Sequence, residues 1–195
     1  MWSEAEPLLG SLAHDIGSEM FRERELEEHL EEVVVIAKRV FDGAGAGLML
    51  LGAGDEPQLV AATSEPWLAL ERAQQDAGAG PGISATRDRQ VVAVSDLAQD
   101  PRWPQIRAAV NPLGVVSVLS APIWLSDRPA GNLNLFDTVA GRWSERDRQS
   151  IATFAGVVEA LVRTEIGAYR NGRRIVELRR RLARDVGGNP ESRPS

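Results

Sequence analysis

The sequence predicts an α/β (α+β) fold, a central antiparallel sheet of about five or six strands with helices on both faces. Three observations predict it. Apolar residues recur every three or four positions in two long segments, one near each end. Between them lie short β-branched and apolar runs bounded by glycine, proline and aspartate. Most of these runs come in pairs separated by a few residues, too few for a crossover helix, so the paired strands must be antiparallel.

The elements follow in order. Residues 1–17 have no apolar period and are expected to be flexible. From 18 to 41, Leu26, Leu30, Val33, Val34, Ala37, Val40 and Phe41 mark a helix that Gly43, Gly45 and Gly47 are expected to end. Residues 48–51 and 58–63 read as a hairpin, and 67–75 as a helix. The GAGPG stretch at 78–82 reads as a loop. Residues 91–94 form a short strand, and Asp100, Pro101, Arg102, Trp103 and Pro104 start a short helix that Asn111 and Pro112 close near 110. Residues 115–125 and 130–137 make a second hairpin over the turn 126–129. Ser144 with Asp147 resembles a capping box and starts the last helix, whose face is Ile151, Phe154, Val157, Val158, Leu161, Val162 and Ile166. The domain so bounded is 18–166, followed by a helical extension over 167–186 and a disordered tail over 187–195.

Composition excludes several chemistries. The 195 residues contain no cysteine, which removes disulfides, thiolate metal sites, cysteine nucleophiles and thioether-linked chromophores. No apolar run approaches the roughly 20 residues that span a bilayer, and the start lacks a signal peptide, so the chain is expected to be cytoplasmic and not membrane-bound. The net charge of −6 disfavours nucleic acid as a partner. His14 and His29 both precede the sheet, where they cannot hold a haem or iron inside it, and no metal is expected.

Two stretches carry a family resemblance: GPGISATRDRQVVAVSDLAQDPRW at 80–103 and SVLSAPIWLSDRPAGNLNLF at 117–136. In order and spacing they resemble the GAF domain, a sensory module of phosphodiesterases, phytochromes and bacterial regulators. The resemblance spans roughly 26–161, and Thr86, Arg87 and Asp88 depart from it. It implies a small-molecule pocket on one sheet face and a regulatory rather than catalytic role. Relatives that reduce free methionine sulfoxide use cysteines, which this sequence lacks, and the lysine-bearing motif of cyclic-nucleotide binders is missing too.

Strand alternation puts Asn132, Asn134 and Phe136 on one face and Leu133 and Leu135 on the other. The leucines belong against helices, and the asparagines, with Val118 and Ser120 of the neighbouring strand, then face the pocket that the resemblance implies. Local bonding to loops is the competing role for the asparagines. Trp103 and Arg107, four apart, are expected to share a helical face as an aromatic wall and a cationic donor, with Asp96 beside them; the alternative is that Asp96 caps this helix and pairs with Arg107 at the surface. Trp67 is expected to pack as a lid. These nine residues are the candidate ligand site; no catalytic residue and no cofactor is expected.

Charge is segregated at the ends. Seven glutamates face Arg22 and Arg24 between Glu19 and Glu32, while Arg170 to Arg184 contains seven arginines and Glu177. Opposite blocks favour pairing within a chain or across a homodimer, with Leu26, Leu30, Leu161, Ile175, Leu178 and Leu182 as the interface. The expected function is a non-catalytic sensor of a small molecule or regulatory partner protein that signals through dimerising terminal helices; the alternative is a nucleic-acid-binding transcriptional regulator using the arginine-rich helix.

Overall fold

The computed structural model describes residues 28–52, 55–110 and 114–164. Residues Leu26–Leu161 form one compact unit; of the remainder, Met1–Glu25 and Val162–Ser195, only 162–164 are described, as the end of the last helix. The expected flexible start, helical extension and tail lie outside the described residues, as do Leu26, Ile175, Leu178 and Leu182.

Five strands form one antiparallel sheet in the order β2-β1-β5-β4-β3. They are β1 (Gly45–Leu51), β2 (Pro57–Ala62), β3 (Val92–Val94), β4 (Ser117–Leu125) and β5 (Arg128–Asp137). The first hairpin pairs Leu51 with Pro57 and Gly47 with Ala62. The second is tighter than expected: Leu125 pairs with Arg128, leaving Ser126 and Asp127 as a two-residue turn in which Ser126 has φ 64°. The longer strands β4 and β5 sit at the centre, where both faces are covered, and β5 is buried from Ala130 to Asp137.

Among the described residues five helices surround the sheet: α1 (28–40), α2 (Glu65–Ala77), α3 (Pro81–Asp88), α4 (Pro104–Val110) and α5 (145–164). α3 corrects the sequence expectation. The GAGPG stretch is not one loop: Gly78 caps α2 in the left-handed region and Pro81 then occupies the first turn of a new helix, which suits its fixed φ. Gly45 and Gly47, expected in the turn after α1, lie within β1. At the start of α5 the Ser144 amide donates to Asp147 Oδ2 at 2.8 Å and the Asp147 amide donates to Ser144 Oγ at 3.2 Å, a complete capping box with aspartate in place of glutamate.

One sheet face carries Ala46, Leu48, Leu119, Ala121, Leu133 and Leu135, all fully buried. The buried stripes of α1 (Leu30, Val34, Ala37), with Phe41 just beyond, and of α5 (Ile151, Ala155, Val158) complete that core. Phe41 and Phe154 meet edge to face at 6.1 Å. Leu30, expected at a dimer interface, is thus buried within the single chain, and Leu161 is half-buried. Val40 and Val157, placed by periodicity on the apolar faces, are instead 63% and 57% exposed. The opposite face carries a second apolar cluster of Trp67, Leu70, Val94, Leu97, Trp103, Ile106, Val115, Val118 and Phe136. Polar residues are buried beside it.

Candidate functional site

The site is built by laying α2 along β5. The buried face of α2 is Trp67, Leu70, Glu71 and Gln74, spaced as one helical stripe. Four helical residues advance about 6 Å, close to the roughly 6.7 Å covered by two strand residues. So successive turns of the helix meet alternate residues of the strand. The Trp67 ring stacks on Phe136 at 5.4 Å with 12° between planes. Glu71 Oε1 accepts from Asn134 Nδ2 at 2.7 Å.

β1 makes this approach fit. Gly45 pairs with Phe136 and Gly47 with Asn134, on the same face. A Cβ on Gly45 would strike the Trp67 indole, and one on Gly47 would strike the Glu71 carboxyl. Glycine at both positions lets the two large side chains of α2 rest on the sheet itself.

From Glu71 a hydrogen-bonded row crosses the face. Asn134 Nδ2 also donates to Asn132 Oδ1 at 2.8 Å, and Asn132 Nδ2 donates to Thr86 Oγ1 at 3.1 Å. The Thr86 hydroxyl has one proton for two carbonyls, Gly131 O at 2.9 Å and Gly82 O at 3.1 Å. On the other side, Gln74 Nε2 donates to Glu71 Oε2 at 3.0 Å, and Gln74 Oε1 accepts from the Gly82 amide at 2.9 Å. Because a backbone N–H can only donate, that last bond fixes which way the Gln74 amide points.

All five side chains in this network are buried. Glu71 is bonded by the neutral amides of Gln74 and Asn134, and among the described residues no cation is bonded to it. Burial pushes its carboxyl from 4.5 up to about 8, against the opposing pull of the hydrogen bonds from Asn134 and Gln74. At pH 7 Glu71 is therefore mainly the neutral acid. The row suits either state. With its amides as described it donates toward a carboxylate. Turning both asparagine amides over lets a protonated Glu71 donate to Asn134 and Thr86 donate to Asn132.

The sequence-derived candidates divide. Cross-strand pairing sets Ser120 opposite Asn134, Val118 opposite Phe136 and Val92 opposite Ser120, so Val118, Ser120, Asn132, Asn134 and Phe136 share the face that Trp67 covers. The asparagines bond Glu71 and Thr86 rather than loops alone. Ser120 Oγ and Asn134 Oδ1 are buried without a protein partner. Trp103 joins the edge, its indole N–H donating to Ser84 Oγ at 3.1 Å. It does not share a helical face with Arg107, because α4 begins at Pro104. Arg107 Nη2 donates to the Asp100 carbonyl at 2.9 Å, and Arg102 lies over Trp103 at 4.2 Å. Asp96 neither caps α4 nor pairs with Arg107: its carboxylate accepts from the Ala98 and Gln99 amides, a local turn.

Glu71, Gln74 and Thr86 were not expected. A signal for the first two was present, since Trp67, Leu70, Glu71 and Gln74 occupy one helical stripe and only half of it is apolar. Thr86 had none, since the sequence predicts no element over 83–88 and Thr86 stands out there only as a departure from the family pattern. Among the described residues there is no group of three or more histidine, cysteine, aspartate or glutamate side chains able to hold a metal, and no helix long and apolar enough to cross a membrane.

The GAF domain sequence profile matches residues 25–162. No curated protein sequence matches the chain. Solved structures do. A domain from a protein assigned as a two-component sensor histidine kinase of Sinorhizobium meliloti is similar at TM-score 0.63 and 15% identity, over 74% of this chain and 96% of that one. The GAF domain region of a protein assigned as a membrane protein of Geobacter sulfurreducens is similar at TM-score 0.60 and 18% identity, over 75% and 99%. The type II free methionine-R-sulfoxide reductase of Thermoplasma acidophilum, an enzyme, has TM-score 0.60 and 16% identity over 72% and 94%. At such identities the likeness is one of fold, while the profile covers most of the chain; the chain belongs to the GAF domain family, sensory domains common in signalling proteins.

Proposed function

We propose that this chain is a non-catalytic sensory domain that holds a small molecule against the polar row of β5 and transmits its binding through the terminal helices, which pair two copies in the cytoplasm. The observation that carries this is the buried row Glu71, Asn134, Asn132 and Thr86 at the centre of one sheet face. Burying so many polar groups contributes less to stability than an apolar core would, and a site that must match a ligand's donors and acceptors gives such a row a use. The ligand would enter by displacing α2, which supplies Trp67 as the wall and Glu71 and Gln74 as exchangeable partners. The absence of cysteine and the exposed position of His29 on α1 support the non-catalytic role.

Non-denaturing mass spectrometry of the purified full chain tests this. A small molecule that co-purifies with the wild type, and is lost in Asn134→Leu while the fold persists by circular dichroism, is the expected result. Protein without any adduct, whose melting temperature is unmoved by a panel of nucleotides, amino acids and organic acids, would count against ligand sensing. Turnover of a panel compound that disappears in Asn134→Leu would replace the sensor by an enzyme.

A further inference from the structure

The solvent side of α1 is divided by charge. Its first part exposes Glu28, Glu31 and Glu32, its last part Arg39 with the half-buried Lys38, and between and beyond them lie Val35, Ile36 and Val40 at 39%, 47% and 63% exposure. Glu28, Glu31, Glu32, Val35, Ile36 and Arg39 line one shallow groove. A helix with an acidic start, an apolar middle and a basic end is complementary to itself when reversed. We propose that this face docks the same face of a second copy of this chain, antiparallel, about a two-fold axis passing between Val35 and Ile36.

That axis brings the two apolar middles together and sets Glu32 of each copy opposite Arg39 of the other, with Glu31 opposite Val40. Parallel pairing would place Glu31 and Glu32 against their own counterparts. Exposed ion pairs add little attraction, so the apolar centre supplies the contact and the charges select the direction. α5 lies near the end of α1, where Phe154 packs on Phe41 just beyond it. Between Arg148 and Arg163 its sole charged residue is Glu159, whose carboxylate accepts from the Trp124 amide at 2.9 Å. Its exposed residues there include Ala152, Thr153, Gly156 and Val157, and a side chain added at Gly156 would meet nothing, so another helix can come close.

The inference rests on the proposed pairing of copies, and one experiment separates the two. Because the chain has no cysteine, single-cysteine variants of the full chain report contacts without background. Ile36→Cys, Glu32→Cys and Arg39→Cys are each oxidised mildly, alone and mixed, and masses are measured by sedimentation. The expected result is a dimer in which Ile36→Cys cross-links to itself, while Glu32→Cys and Arg39→Cys cross-link when mixed and not alone. Charge exchange gives a second readout: Glu32→Arg weakens the dimer about tenfold, and Glu32→Arg with Arg39→Glu restores it. Self-cross-linking of Glu32→Cys, or a dimer that none of these variants traps, overturns the antiparallel contact while the pairing of copies survives. A monomer overturns both, as it would if another segment of the same chain covers the groove.

Discussion

Glu71→Gln converts the buried acid into a group that is neutral at every pH, and its consequence for stability can be worked out in sign and size. In the unfolded chain the carboxyl ionises near 4.5; in the folded protein burial holds it protonated until about 8. Between those values the native state binds a proton that the unfolded state has lost, so stability falls as pH rises. Below 4.5 both states are protonated, above 8 both are ionised, and the slope vanishes at either end. Inside the window the slope is about 1.4 kcal/mol per pH unit. From pH 5.5 to 7.5 wild type should therefore lose about 2–3 kcal/mol relative to the variant, or about 5–10 °C in melting temperature for a chain of this size. The variant's amide can stand in for the protonated acid, its oxygen accepting from Gln74 Nε2 and its NH2 donating to the turned-over Asn134, so any offset it introduces does not vary with pH. Thermal denaturation of both proteins across this range gives the comparison. Curves that stay parallel from pH 5.5 to 7.5 would refute a neutral, desolvated Glu71.

Asn134→Leu removes the larger of the two bonds that hold the Glu71 carboxyl down, so its titration, followed by carboxyl carbon-13 NMR, should move above about 8. The same change strips Asn132 Oδ1 of its donor and should cost about 2–3 kcal/mol in chemical denaturation. Gly47→Ala drives a methyl into the Glu71 carboxyl and should destabilise by about 1–3 kcal/mol, less in a Glu71→Ala background, where the obstruction is gone. Ser144→Ala keeps the backbone amide bond to Asp147 Oδ2 but removes the hydroxyl, which accepts from the Asp147 amide and donates to Asp147 Oδ2, and should cost about 1 kcal/mol; the Asp147 carboxyl, now held low chiefly by that hydroxyl, should titrate higher.

Much of the fold was legible because it depends on periods. The two-residue period of 132–136 separates Leu133 and Leu135 from the asparagines whatever the tertiary surroundings, and the register confirms that division. The start of α3 was misread because glycine and proline cluster at 78–82 as in a loop, while proline at 81 is compatible with a first helical turn; local composition alone does not choose between them. The site was half legible. Strand alternation picks out Asn132, Asn134 and Ser120, but it says nothing about which helix crosses above them. Glu71 belongs to the site because β1 has no side chains at Gly45 and Gly47, a tertiary fact distributed over two distant segments. Asp96 and Arg107 were selected by residue type and spacing, yet nearby backbone groups engage them first, the Ala98 amide for Asp96 and the Asp100 carbonyl for Arg107 Nη2.

The matching of α2 turns to alternate β5 residues has a mechanical consequence. A purely greasy helix can creep over a sheet by fractions of an ångström, trading one contact for another. Here Glu71 must meet Asn134, Gln74 must meet the Gly82 amide, and Trp67 must lie flat on Phe136, so a shift too small to reach the next partner breaks these without replacing any. The helix behaves as a latch with teeth. If a ligand enters beneath α2 as proposed, these teeth have to be released together, and the expected response is a step and not a slide.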